Sequence, residues 1–227
     1  MTLQENIAAI EDKIAEACAK SGRSRGDITL IAVTKTVPAW QIGESISLGI
    51  QHIGESKIQE AERKLPDIKG ISSVKKHLIG HLQTNKAKKA VELFDVIQSL
   101  DSERLAEEIN KQAQKLNKVQ ECLVELKVSE EESKFGLDPS KLIDFLNLIR
   151  VFGGIRVTGV MVMAPFFEDP EKTRPYFKRV KKSFDEAKET NPGLKELSMG
   201  MSNDFDIAVE EGATMVRIGT AIFKGSN

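Results

Sequence analysis

The strongest constraint on this chain is an alternation. From residue 28 onward, short apolar or β-branched runs are each followed by a stretch with helical spacing, and the unit recurs eight times. Residues 28–35 (ITLIAVTK) are nearly continuous in such residues, as suits a strand covered on both faces. Pro38 opens the helix that follows, with Ile42, Ile46 and Leu48 on its apolar side. Later strands are expected at 52–56, 76–80, 96–100, 120–128, 155–163, 196–199 and 215–219. Helices are expected between them, the last over 203–211 and closed by Gly212.

Eight units within residues 28–220 average about 24 residues each, compact but sufficient for right-handed parallel crossovers. That number points to a closed α/β barrel of the (β/α)8 TIM type, with an open doubly wound sheet as the alternative. Ahead of it, Leu3, Ile7, Ile10, Ile14 and Cys18 mark one face of an amphipathic helix. The expected organisation is a single domain over 1–227, with an N-terminal helix at about 2–20 and the barrel at about 28–223.

Composition removes several function classes. Thirty-three basic against 34 acidic residues leave a net charge of −1, which argues against nucleic acid or an anionic membrane as partner. The first 19 residues carry Glu5, Glu11, Asp12 and Glu16 and no apolar signal core. The longest apolar runs, 28–33 and 159–167, fall far short of the ~20 residues that span a bilayer. Cys18 and Cys122 read as buried reduced thiols, so a reducing cytoplasm is the expected location.

In a barrel of this type chemistry collects at the C-terminal ends of the strands. Lys35 ends the first strand-like run, and lysines are rarely buried without a partner or a task. Desolvation beside another cation would suit it as a Schiff-base amine; the plain alternative is a strand-end lysine that snorkels into solvent. The second feature is the pair 197–204 (LSMGMSND) and 217–220 (RIGT), after strands seven and eight. Small residues there let backbone N–H groups approach a ligand, and Ser202 or Asn203 would start the next helix, where anions are favoured. Ordinary helix capping and a tight turn would explain the same residues. A lysine amine and a phosphate cradle together describe a bound phosphorylated aldehyde or ketone, with pyridoxal 5'-phosphate (PLP) as the candidate.

Five stretches then carry a resemblance: AVTKTVP (32–38), HIGESKIQEA (52–61), HLIGHLQTNK (77–86), ESKFG (132–136) and LSMGMSNDFDIAVEEGATMVRIGTAIF (197–223). In this order the chain resembles the pyridoxal-phosphate homeostasis proteins of the YggS/PROSC type. The resemblance implies a fold type III barrel like the N-terminal domain of alanine racemase, with PLP held as an internal aldimine on Lys35. It implies phosphate contacts at Ser202, Gly219 and Thr220, joined by backbone around Met201. Arg217 matches the arginine that faces the pyridine nitrogen. A guanidinium cannot accept a proton from the ring and disfavours protonation there, which weakens PLP as an electron sink. Ser56 stands where the family usually has asparagine, replacing an amide near the ring by a hydroxyl. Lys57 replaces a common aromatic, and the family's Phe-Gly ending reads Phe223-Lys224-Gly225.

Other signals are weaker. His77 and His81 are four apart on a strand end without the glutamate of a zinc-protease helix, and Gly49–Gly54 has P-loop-like glycines with Glu55 in the lysine position. Lys86, Lys88 and Lys89 read as a solvated helix face with a role in guiding an anionic cofactor left open, Lys134 as a loop lysine with a PLP-handling role left open. Met161, Met163 and Phe166 read as core or mouth lining.

Related racemases take a second catalytic group, a tyrosine, from an added β-domain. This sequence ends soon after Gly219, and Tyr176 is its only tyrosine. The expectation is therefore a PLP-binding protein of cofactor homeostasis that buffers or delivers PLP without strong catalysis. PLP-requiring apoenzymes are open as partners, and the resemblance implies a monomer or weak dimer. The alternatives are a racemase-like PLP enzyme and a Schiff-base aldolase for a sugar phosphate, with Asp101 or Glu55 as its acidic partner.

Overall fold

The computed structural model describes residues 1–128 and 135–225. Among them eight parallel strands close into a barrel in sequence order. They are β1 (Thr29–Val33), β2 (His52–Glu55), β3 (Lys75–Leu78), β4 (Val96–Leu100), β5 (Gln120–Leu126), β6 (Ile155–Val162), β7 (Glu196–Ser198) and β8 (Met215–Ile218). β1 pairs with β2 (Ala32 opposite Ile53) and also with β8 (Ile31 opposite Arg217), which excludes the open sheet. The intervening helices are α2 (Ala39–Ser47), α3 (Ile58–Lys64), α4 (Ala87–Leu93), α5 (Glu103–Lys115), α6 (Leu142–Ile149), α7 (Arg174–Thr190) and α8 (Phe205–Glu210). α1 (Leu3–Lys20) precedes the barrel and α9 (Thr220–Phe223) follows it.

β1 ends two residues earlier than its apolar pattern suggests. Thr34 N–H still donates to Gly54 O (2.9 Å), but Thr36 then adopts φ +64° and turns the chain away. Lys35 therefore sits in the turn beyond the strand.

Strand periodicity sorts the interior. Ile31, Val96, Leu123, Met161 and Met215 form a small apolar cluster inside the barrel, separate from the larger core between strands and helices. Two residues further along three of these strands, on the same face, stand Gln98, Glu125 and Arg217. A buried polar belt thus lies between the apolar floor and the C-terminal mouth.

α1 packs on α8 and α9 through Leu3, Ile7, Ile10 and Ile14, each contributing about 2 kcal/mol by burial. Thr2 and Glu5 cap its first turn reciprocally. Buried Asn6 Nδ2 donates to Ile222 O (2.9 Å) and Lys224 O (3.3 Å), tying α1 to the segment that closes the barrel. Cys18 and Cys122 are buried and unbonded. No helix among the described residues is long and apolar enough to cross a membrane.

Candidate functional site

Four strand ends converge at the mouth. β1 delivers Lys35 through its turn. After β2 the chain places Ser56 against the end of β3, where a Cβ on Gly80 would lie 2.1 Å from Ser56 O; only glycine permits this approach. After β7, Gly200 takes φ +91°, and a Cβ there would lie 2.5 Å from Ala208 Cβ, so the loop folds tightly onto α8. β8 carries Arg217, followed by Gly219 and Thr220. Lys35, Ser56, Met201, Ser202, Arg217, Gly219 and Thr220 all line one cavity of about 440 Å³. Val33, Ile79, Met163 and Phe166 supply apolar wall, a mix usual for small-ligand sites.

The sequence pattern started the seventh helix at Asn203, whereas α8 starts at Phe205. Asp204 occupies the cap position, and its Oδ1 accepts Met201 N–H (2.7 Å) while its own N–H donates to Met201 O (3.0 Å). Ser202 and Asn203 thus belong to the preceding turn. Asn203 Nδ2 is directed to Phe167 O (3.1 Å). Ser202 and Thr220 bring hydroxyl-bearing side chains to the cavity wall; in α9 the N–H groups of Ile222 and Phe223 donate to Gly219 O (3.0 and 3.1 Å), which leaves those of Thr220 and Ala221 without an intrahelical acceptor.

Arg217 is 3% exposed and strongly held. Nη1 donates to Ser198 Oγ (2.7 Å), Nη2 to Val162 O (2.8 Å) and the backbone N–H to Gly200 O (3.0 Å). Burial pushes its pKa down to about 10 against the attraction of Glu125 and Asp204, so it remains a cation at neutral pH. Burial, helped by Asp101, pushes Glu125 up to about 7 despite Arg217. Glu125 Oε2 has no hydrogen-bond partner among the described residues. Behind Arg217, Ser198 Oγ–H donates to Gln98 Oε1 (2.8 Å), and Gln98 Nε2 meets His77 Nδ1 and His77 Nε2 meets His52 Nδ1, both at 3.0 Å. Desolvation holds the fully buried His77 well below the usual histidine range.

Lys35 is exposed at the cavity wall, and its ammonium makes no hydrogen bond or ion pair among the described residues. The turn around it rests on a cluster the sequence reading did not assemble. Lys64 Nζ reaches Glu55 Oε1 (2.8 Å), Glu60 Oε1 (3.1 Å) and Thr34 O (2.8 Å), and Glu60 Oε1 accepts Thr36 N–H (2.6 Å). Glu55 is thereby engaged with Lys64 and Thr34, on the helix side of β2, and does not line the cavity.

The weaker signals sort clearly. His77 lies inside the polar belt, and His81 stacks on Phe135 and approaches Asp101 (3.6 Å). No group of three His, Cys, Asp or Glu side chains suited to a metal occurs among the described residues. Gly49–Gly54 leads into β2 from the opposite end of the barrel. Lys89 pairs with Glu62 and Glu92 at the surface. Met161 is core, whereas Met163 and Phe166 line the mouth. Lys134 lies outside the described residues.

An amine, several hydroxyls and a guanidinium around one cavity suit a small molecule with an anionic group and an electrophilic carbon. Residues 6–227 match the family of alanine racemase N-terminal domains. The chain is 40% identical over 224 residues to the pyridoxal phosphate homeostasis protein of Aquifex aeolicus, covering 98% of both. The structure of PipY from Synechococcus elongatus with PLP bound is similar at a TM-score of 0.85 and 34% identity, over 98% of this chain and 100% of that one. An alanine racemase from Clostridium difficile shares the fold at 14% identity and a TM-score of 0.73, with this chain covering 56% of its length.

Proposed function

Since the chain belongs to the alanine racemase N-terminal domain family, and within it to the pyridoxal phosphate homeostasis proteins, we propose that it binds PLP and serves cofactor homeostasis, buffering PLP and releasing it to PLP-requiring apoenzymes in a reducing cytoplasm. One observation carries this reading: Lys35, Ser202, Arg217, Gly219 and Thr220 meet at a single cavity of about 440 Å³.

The donor set fits the cofactor. The Ser202 and Thr220 hydroxyls and the α9 N–H groups bind the phosphate. The Lys35 amine would hold the aldehyde carbon. Arg217, already held by Ser198 Oγ and Val162 O, would face the pyridine nitrogen and, remaining cationic, would oppose its protonation. Val33, Ile79 and Met163 cover the ring. When bound, PLP supplies an electrophilic carbon and an electron sink, the latter weakened by an unprotonated ring.

The relatives bear the name of homeostasis proteins and not of enzymes. Weak or absent catalysis is further supported by the titratable groups on the cavity wall, which among the described residues are Lys35, Asp204 and Arg217. Asp204 is engaged by Met201 N–H, and Arg217 cannot act as a base at neutral pH. That set does not include the tyrosine that the related racemases are expected to use as second group. Tyr176 packs instead on Phe167, with ring centroids 5.8 Å apart.

The test is to load the protein with PLP and follow α-proton exchange of L- and D-amino acids in D2O, alongside PLP transfer to an apoenzyme. Exchange no faster than with free PLP, together with transfer, supports the reading. Enzyme-like exchange overturns the carrier assignment.

A further inference from the structure

Lys35 is anchored on both sides by one ion cluster. On the N-terminal side, Thr34 O accepts from Lys64 Nζ (2.8 Å) and Thr34 Oγ1 donates to Glu55 Oε1. On the C-terminal side, Thr36 N–H donates to Glu60 Oε1 (2.6 Å). Lys64 joins the halves through Glu55 Oε1 (2.8 Å) and Glu60 Oε1 (3.1 Å). Its side chain is 11% exposed and that of Glu55 1%, so this is a desolvated cluster held by mutual pairing.

The conformation it supports is unfavourable locally. Thr36 is β-branched and sits at φ +64°, where threonine has a steric penalty and glycine has none. Such a residue persists where surrounding contacts over-determine it. Here the Thr36 N–H is fixed by Glu60, Thr36 Oγ1 donates to Lys35 O (2.6 Å), and the preceding carbonyl is fixed by Lys64. The turn directs Lys35 to the cavity, while its own ammonium has no partner among the described residues to orient it. The backbone on either side is thus the visible constraint on where the amine goes. The same β2–α3 segment carries Ser56 to the cavity wall.

We propose that Lys64, Glu60 and Glu55 are positioning residues for covalent capture at Lys35. The inference rests on the reading of Lys35 as the amine that binds the PLP aldehyde. In that step the unprotonated Lys35 Nζ attacks the aldehyde carbon, a carbon–nitrogen double bond forms, and the carbonyl oxygen leaves as water with both amine protons. No oxidant or reductant is consumed. Holding the amine in place raises the rate and extent of this step through orientation. It adds nothing to the grip on ring and phosphate, which use other residues.

The test separates these contributions. Covalent capture of PLP is followed by the growth of visible absorbance and by the mass of the borohydride-reduced adduct. Binding of pyridoxine 5'-phosphate, which has no aldehyde, reports ring and phosphate contacts alone. Lys64→Met and Glu60→Ala should slow capture at least tenfold and leave pyridoxine 5'-phosphate affinity within about twofold. Glu60→Gln, which keeps an acceptor for Thr36 N–H, should recover most of the capture rate. Should Lys64→Met fail to fold, the Glu60 pair makes the same comparison at a partly exposed site. Unchanged capture in Glu60→Ala, or capture and pyridoxine 5'-phosphate binding falling in parallel, overturns the positioning role. A wild-type protein that binds pyridoxine 5'-phosphate but forms no adduct on Lys35 overturns the underlying reading, a result separable from failure of the cluster alone.

Discussion

Arg217 Nη1 donates a 2.7 Å hydrogen bond to Ser198 Oγ, and that bond sets the direction of every hydrogen bond behind it. A guanidinium has donors only, so Ser198 Oγ must accept from it and pass its own proton to Gln98 Oε1. Gln98 then presents its amide N–H to His77 Nδ1, leaving the His77 proton on Nε2 to be donated to His52 Nδ1. The chain runs one way through the barrel, from the cavity wall to the start of β2. It fixes Arg217 and requires a neutral His77, in agreement with the lowered pKa of that buried ring.

The directionality is testable at Gln98. Gln98→Leu leaves the Ser198 hydroxyl proton and His77 Nδ1 without partners and should cost about 2–4 kcal/mol in urea unfolding. Gln98→Glu offers acceptors to both neighbours, so His77 should move its proton to Nδ1. Imidazole ¹⁵N shifts report the tautomer, and an unchanged Nε2–H form in Gln98→Glu would contradict the chain.

Glu125 predicts a pH dependence. Its carboxyl is raised from the ordinary glutamate value to about 7, so the folded state holds the extra proton between those values. Its contribution is least unfavourable below the unfolded pKa, and stability falls as pH rises towards 7 and stays lower above it. Glu125→Gln should therefore match the wild type near pH 4 and exceed it by up to about 3 kcal/mol at pH 8. Denaturation midpoints at the two pH values check this, and an advantage confined to pH 4 would reverse the sign.

Gly80 should tolerate no side chain. With a Cβ placed 2.1 Å from Ser56 O, Gly80→Ala must displace the loop that brings Ser56 to the cavity. A loss of about 2–4 kcal/mol and weaker pyridoxine 5'-phosphate binding are expected. Gly153→Ala, which meets nothing within 4 Å, serves as the control and should stay within about 0.5 kcal/mol in thermal unfolding.

Asn6→Ala removes both donors that hold α1 to Ile222 O and Lys224 O. The expected loss is about 1–3 kcal/mol, with faster amide exchange in α9. Protection in α9 equal to the wild type would show that the apolar face of α1 suffices.

The barrel was legible because parallel strands covered on both faces leave nearly continuous apolar runs, and these recur with helices between them. The cavity residues were legible where they stood in small-residue loops at strand ends, as Ser202, Gly219 and Thr220 do, or ended an apolar run, as Lys35 does. The sequence pattern places the start of α8 too early because Asp204, and not Asn203, takes the cap position and bonds back to Met201. Glu55, Glu60 and Lys64 straddle a strand–helix junction, so neither periodicity marks them as one cluster, and two of them look like ordinary helix charges. His77, Gln98 and Ser198 come from three strands, and only barrel closure makes them neighbours.

Whether Lys35 holds the cofactor is decided by peptide mapping. The protein is loaded with PLP, reduced with borohydride and digested, and the modified lysine is located by mass spectrometry. One dominant adduct is expected on the peptide containing Lys35, lost in Lys35→Ala while pyridoxine 5'-phosphate still binds. An adduct mainly on another lysine, or none in a protein that remains folded, would contradict it.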